Sequence, residues 1–384
     1  MERRKFLAGS GTVGVGVAAA ALMVACGKKE EPAKAEPAKA DAAKAGAPAV
    51  ATGEVRWRLA SSFPKSLDTL FGAAETFAKA VTTASGGKFT VTAHAAGELV
   101  PPFGVVDAVQ NGTVECAHTA PYYFFGKDET FSIDCAIPFG LNSRQMTAWM
   151  YEGNGMKLLR EFYTKYNIVN FPMGNTGAQM GGWYRKEIRS VADMKGLKMR
   201  ISNLAGAVCT RMGVVPQTLP GGEIYTALEK GTIDAAEWVG PYDDLKLGFN
   251  KVAPNYYYPG WWEGGPLLSL YVNSKSYEAL SAENKAIVQA AAAYAGVDLQ
   301  AKYDARNPGA LKQLVADGTK LHRFPKDVMD AAFKHSQDIY AEISAKNPTW
   351  KKVYDDYIAF RRDQNLWFRF SEASFDDFMQ GQKL

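Results

Sequence analysis

Val106-Asp107-Ala108-Val109-Gln110-Asn111-Gly112-Thr113-Val114-Glu115 returns later in the chain as Tyr225-Thr226-Ala227-Leu228-Glu229-Lys230-Gly231-Thr232-Ile233-Asp234. Each copy reads as a helix closed by Gly, followed by Thr and a β-branched residue that open a strand. A few residues on, Ala120-Pro121-Tyr122-Tyr123 is answered by Gly240-Pro241-Tyr242-Asp243. Ligands of open α/β sheets sit beyond the carboxyl ends of the strands, so each copy delivers its tail to the mouth of its own sheet. The economical reading is an α/β protein of two similar lobes facing each other across a hinge cleft. The plainer one is that helix-Gly-strand is a common α/β unit repeated by chance.

Outward from the repeat, the pattern keeps alternating. Val55–Ala60 reads as a strand with Val55, Trp57 and Leu59 on one face, Leu67–Ala84 as an amphipathic helix, and Lys88–Ala95 as a second strand. Such alternation predicts largely parallel pairing. The C-terminal third reads as helical over Ser281–Asp317, with an interruption at Pro308-Gly309, and again over Lys326–Lys346. Beyond Asn347-Pro348 comes a tail rich in rings: Trp350, Tyr354, Tyr357, Phe360, Trp367, Phe368, Phe370, Phe375 and Phe378. The first three recur on one helical face. They either pack on their own lobe or form a dimer interface.

The opening residues are not part of the fold. Arg3-Arg4-Lys5 precedes an apolar run over Val13–Ala25 that is too short to span a bilayer, and Leu22-Met23-Val24-Ala25-Cys26 is similar to a lipoprotein processing box. This predicts periplasmic export by a twin-arginine-type signal, with Cys26 as a candidate lipidation site. Gly9-Ser10-Gly11-Thr12-Val13-Gly14 spells a dinucleotide fingerprint, but no strand precedes it, so it is discarded. The expected organisation is export signal 1–26, disordered tether 27–53, lobe I 54–177 with 266–305, lobe II 178–265 with 306–345, and helical tail 346–384.

Charge and composition remove several functions. Residues 1–53 hold eight bases and five acids, which leaves thirty-six bases and thirty-five acids in the body. With no basic run, nucleic acid is not an expected partner. Apart from Cys26, the three cysteines Cys116, Cys135 and Cys209 lack C-x-x-C spacing, against a disulfide scaffold or zinc site. None of His94, His118, His322 and His335 sits in a nucleophile motif or H-E-x-x-H, against a hydrolase or metalloprotease. His118 falls where the second copy has Glu237, which predicts that it faces the cleft.

Four segments hold polar groups among glycines and rings: 174–183, 196–200, 236–242 and 256–265. Together with Ala60-Ser61-Ser62-Phe63-Pro64, Gly97-Glu98-Leu99 and the A-L-x-x-G-x-x-D of Ala227–Asp234, they carry a family likeness. From about Arg56 onward the chain resembles the DctP-like solute receptors of tripartite ATP-independent periplasmic (TRAP) transporters. Glu237-Trp238-Val239-Gly240-Pro241-Tyr242-Asp243-Asp244 and Tyr256-Tyr257-Tyr258-Pro259-Gly260-Trp261-Trp262-Glu263-Gly264-Gly265 resemble the branch that binds 2-oxo acids such as pyruvate.

The resemblance implies lobes joined by crossing strands and a long helix, TRAP membrane subunits as partners, and a non-enzymatic role. It implies that Arg200 binds the ligand carboxylate and that Tyr122, Tyr123 and Asn175 add hydrogen bonds. Gln179, Glu237, the main-chain carbonyl of Trp238 and Glu263 would hold Na⁺, or alternatively Ca²⁺, whose shell the ligand completes. The chemistry is coherent. A guanidinium matches a carboxylate with two parallel hydrogen bonds. Oxygen donors suit a hard cation, and a 2-oxo acid chelates it through carboxylate and keto oxygens. Lactate, another 2-hydroxy acid or a dicarboxylate is the alternative ligand. An enzyme acting on 2-oxo acids and a signalling scaffold lipoprotein are the alternatives of other classes.

Overall fold

The two copies of the repeat fold alike. Helices Val105–Gln110 and Gly221–Glu229 end at Gly112 and Gly231, whose φ angles of 71° and 69° lie in the left-handed region that glycine adopts without strain. The exits are wired identically. Thr113 N donates to Ala108 O (2.8 Å) and Thr232 N to Ala227 O (2.9 Å); Gly112 and Gly231 donate to the carbonyls of Val109 and Leu228. The computed structural model describes residues 53–382. The expected signal, nearly all of the tether and the Cys26 lipidation site lie outside the described residues.

Two sheets result. The first contains β1 (Val55–Ser61), β2 (Phe89–His94), β3 (Cys116–Thr119), β4 (Ile168–Asn175) and β10 (Leu267–Asn273), in the order β2-β1-β3-β10-β4. The second contains β5 (Trp183–Tyr184), β6 (Lys198–Arg200), β7 (Val215–Gln217), β8 (Ala235–Ala236), β9 (Asn255–Tyr258) and β11 (Lys320–Arg323), in the order β7-β6-β8-β5-β9-β11. Position by position the sheets match, β11 being one extra edge strand. The repeat strands β3 and β8 are equivalent, each pairing parallel on one side (β1, β6) and antiparallel on the other (β10, β5).

That corrects the expectation of largely parallel sheets. Four parallel pairs arise where a helix returns the chain within one sheet, and a fifth where the long helix brings the chain back from β10 to lay β11 beside β9. Antiparallel pairs arise where the chain arrives from the other sheet, by the crossing from β4 to β5 and the crossing back from β9 to β10. A local helix-strand period cannot reveal such exchange.

The helix Ala282–Ala316 lacks the expected interruption and runs unbroken through Pro308. Pro308 and Gly309 face solvent, where water can satisfy the carbonyl that proline leaves without a donor. The helix packs along β4 and along the helix Leu70–Ala84. In the tail, Trp350 and Tyr357 are buried, and the Tyr357 hydroxyl accepts from Leu141 N at 2.6 Å. Further on, Leu366, Trp367, Phe370, Phe375 and Phe378 are exposed. Cys116, Cys135 and Cys209 are buried and unpaired.

Candidate functional site

The residues singled out in the sequence gather where the chain passes between the sheets. Gln179 lies on the crossing from β4 to β5, and Glu263 on the crossing from β9 to β10. The crossings are bonded to each other: Gln179 N donates to Glu263 O (3.2 Å) and Gly260 N to Gln179 O (2.9 Å). They touch backbone to backbone. A Cβ on Gly260 would stand 2.7 Å from the carbonyls of Gln179 and Met180, and one on Gly182 would stand 2.5 Å from Ala236 O. Arg200 ends β6, and Glu237 and Trp238 follow β8, at the carboxyl ends of parallel neighbours. Tyr122 and Tyr123 follow β3 in the short helix Pro121–Phe124, so both copies of the repeat contribute their tails.

Arg200, Glu237, Glu263 and Gln179 are 94–99% buried. The Arg200 guanidinium donates through Nε to Leu219 O (3.1 Å) and through Nη1 to Glu237 O (3.2 Å) and to the Glu237 carboxylate. Its face lies 5.1 Å from the Trp238 ring. In these four residues Arg200 Nη2, Glu237 Oε2, Glu263 Oε2 and Gln179 Oε1 are buried without a hydrogen-bond partner, as are the indole Nε1 atoms of Trp238, Trp261 and Trp262 nearby in sequence. Among the described residues, no hydrogen bond engages the Trp238 carbonyl either. Each such orphan costs about 1–3 kcal/mol; others lie elsewhere, at Ser132, Asp134 and Asn170 for example, but here three of them belong to ionisable side chains of opposite sign.

The electrostatics agree. Burial raises the Glu263 carboxyl well above the carboxylate range and the neighbouring Glu237 raises it further, while Arg200 and the Tyr122 hydroxyl oppose. Burial also raises Glu237, against the pull of Arg200. Burial works to lower the Arg200 pKa, but Glu237, Tyr123, Tyr122 and Glu263 together hold it above its ordinary value. These five side chains therefore share one electrostatic environment.

Asn175 and His118 behave differently. Asn175 donates to Gly265 O (2.9 Å) and accepts from Gly177 N (2.9 Å), so its amide holds the first crossing in shape. The His118 ring is fully buried, its Nε2 3.1 Å from Met173 O on β4 and its face edge-on to Phe63. It is packed within the first sheet, which corrects the expectation that it faces the cleft. Trp261 and Trp262 pack against Phe139 and Phe324.

Sequence reasoning did not assign Phe63, Leu70, Thr176 or Leu268 to the site. With Tyr122 and Trp238 they border a narrow slit of about 10 Å³ beside Gln179. Phe63 stood inside a quoted motif, but nothing in the chain pairs it with Leu268.

The family model for bacterial extracellular solute-binding proteins, family 7, matches residues 60–347. A monocarboxylate 2-oxoacid-binding periplasmic protein of Nostoc sp. is 51% identical over 324 residues, 84% of this chain and 89% of that protein. A TRAP transporter solute-binding protein of Bordetella bronchiseptica, crystallised as a mixed-occupancy dimer with calcium and picolinate in one site and the other empty, is 51% identical. Its TM-score is 0.84, covering 85% of this chain and 97% of that one. A TRAP periplasmic solute-binding protein of Pseudoalteromonas atlantica with bound sodium and pyruvate is 38% identical, with a TM-score of 0.82, covering 86% of this chain and all of that one.

Proposed function

The chain belongs to family 7 of the bacterial extracellular solute-binding proteins, and from that premise we propose that it captures a small 2-oxo monocarboxylate, with pyruvate the first candidate, for a TRAP transporter. Its family is one of periplasmic binding proteins rather than enzymes. The observation that carries the proposal is a set of orphaned buried atoms on residues that share one electrostatic environment: a guanidinium N–H of Arg200 and carboxylate oxygens of Glu237 and Glu263, with Gln179 Oε1 on the crossing bonded to that of Glu263.

In this reading Arg200 Nη2 is the free half of a fork aimed at the ligand carboxylate. Gln179 Oε1, Glu237 Oε2, Glu263 Oε2 and the Trp238 carbonyl are the oxygens that would hold a hard cation. A cation held there supplies the positive charge that turns two mutually repelling glutamates into support for an anion. Tyr122 and Tyr123 close the anion's other side with hydroxyls that burial keeps protonated. Asn175 positions the first crossing, and the apolar side chains Phe63, Leu70 and Leu268 line the slit beside Gln179 that the remainder of the ligand would face.

Charge count favours a monocarboxylate. Arg200, Glu237 and Glu263 sum to one negative charge when ionised. A divalent cation and a monocarboxylate bring the buried set to neutrality, whereas a dicarboxylate leaves a second, costly charge. Pyruvate and picolinate share the needed geometry, a carboxylate oxygen and a neighbouring donor atom that close a five-membered chelate.

The test is a thermal-shift screen of residues 54–384 with 2-oxo acids, picolinate, lactate and dicarboxylates, with Na⁺ or Ca²⁺ present or removed. Cation-dependent stabilisation by 2-oxo acids supports the proposal. Stabilisation by lactate alone, or by dicarboxylates, moves the ligand to those classes.

Two further readings accompany it. The exposed rings Trp367, Phe370, Phe375 and Phe378 support a homodimer through the tail, which sedimentation of wild type against Trp367→Glu tests. The N-terminal sequence supports twin-arginine-type export and lipid anchoring through Cys26, which mass spectrometry of the mature protein tests.

A further inference from the structure

The segment between β1 and the helix Leu70–Ala84 belongs to the first sheet's half of the molecule, and the helix Pro241–Leu247 follows β8 of the second. Side chains far apart in sequence join them. Thr69 Oγ1 donates to Asp243 Oδ1 at 2.6 Å, with both side chains fully buried. The other Asp243 oxygen accepts from Tyr303 on the long helix at 2.7 Å. On the solvent side, Asp68 accepts from Tyr242 Oη (3.1 Å), from Arg306 Nη1 (2.7 Å) and from Lys246.

The same helix is fixed to the candidate site. It begins three residues after Trp238, and Asp244 accepts from Trp183 Nε1 (2.9 Å) and Tyr256 Oη (2.7 Å) of the second sheet and from Val239 N (3.4 Å). Leu70, next to Thr69, borders the narrow slit together with Trp238 and Val239. One short helix therefore touches the ligand-bearing strand end with one aspartate and grips the opposite half with its neighbour.

We propose that Asp68 and Thr69, gripping the helix Pro241–Leu247, form a clasp between the two halves that holds the molecule shut over its ligand and sets how slowly the ligand leaves. The proposal rests on the receptor reading above. It adds residues that touch neither ligand nor cation and act through closure: Thr69–Asp243 as the buried bond and Asp68 as its outer, solvent-screened counterpart. Closure follows encounter, so the clasp acts on release rather than on capture.

The experiment is stopped-flow tryptophan fluorescence with pyruvate and Ca²⁺ on wild type, Thr69→Val, Thr69→Ser and Asp68→Asn. Thr69→Val keeps the side-chain shape and removes the donor; it is expected to raise koff roughly tenfold or more with kon within about twofold. Thr69→Ser, which keeps the hydroxyl, restores slow release, and Asp68→Asn gives a smaller rise. Unchanged koff in Thr69→Val, or a koff that Thr69→Ser raises equally, overturns the clasp while leaving the receptor reading intact. No pyruvate binding by wild type overturns that reading, and the clasp with it.

Discussion

His118 and Glu237 stand at equivalent places in the two copies of one structural repeat, five residues beyond Thr113 and Thr232, and they do opposite things. The backbone around them is the same: helix, left-handed glycine, and a strand parallel to one neighbour and antiparallel to the other. His118 bonds Met173 O through Nε2 and leaves Nδ1 buried without a partner, and burial pushes its pKa down to about 3, so the ring is neutral where Glu237 is ion-paired. Glu237 is paired with Arg200 and keeps one oxygen without a partner. A repeat thus fixes where a strand delivers its tail, and the side chain placed there decides whether that end is core or site.

The comparison can be broken most forcefully at Arg200. Arg200→Ala should weaken pyruvate binding by at least about a hundredfold in calorimetry, because it removes the guanidinium and strands Glu237 as a buried, unpaired charge. Arg200→Lys should not restore binding, since an ammonium lacks the fork.

Next, Glu237→Gln should cost roughly ten- to a hundredfold in affinity and blunt the response to Ca²⁺ removal. His118→Gln, at the matching place, should leave both within about twofold. Equal losses in the two variants would erase the distinction drawn here.

The pH dependence sharpens the contrast. The His118 pKa is lower folded (about 3) than its ordinary value of 6.5, so protonation favours the unfolded chain. Its penalty is absent above about pH 6.5 and grows as pH falls toward 3, by up to about 1.4 kcal/mol per unit. Melting curves should therefore show wild type losing stability relative to His118→Gln between pH 6.5 and 4. Parallel curves would mean that the ring is solvated.

The smallest effect lies in the shared backbone. Gly112→Ala and Gly231→Ala should each cost about 1 kcal/mol in urea unfolding, by forcing Cβ into the left-handed region, with affinity unchanged.

Much of this was legible in the chain. The repeated stretch, Ala108–Glu115 answered by Ala227–Asp234, and the prolines that follow it announced two matching α/β halves, and both glycines take the conformation their position predicts. Arg200, Gln179, Glu237 and Glu263 were nameable from family motifs, and the fold brings their segments together at the crossings. The exchange of β5 and β10 between sheets was not legible, because strand period carries no information about which distant strand lies alongside. His118 misled for the same reason: equivalence along the chain does not say that Met173 will claim its ring. Asp243 and Asp244 stood in a quoted motif, yet their partners Thr69, Tyr303, Trp183 and Tyr256 come from four separate elements.

The central claim is that a bound cation and Arg200 together make this site a receptor for a 2-oxo monocarboxylate. Isothermal titration of residues 54–384 with pyruvate, in Ca²⁺, in Na⁺ and after exhaustive chelation and dialysis, tests it most directly. Stoichiometric binding that requires a cation is the predicted result; equal affinity in all three solutions would contradict it.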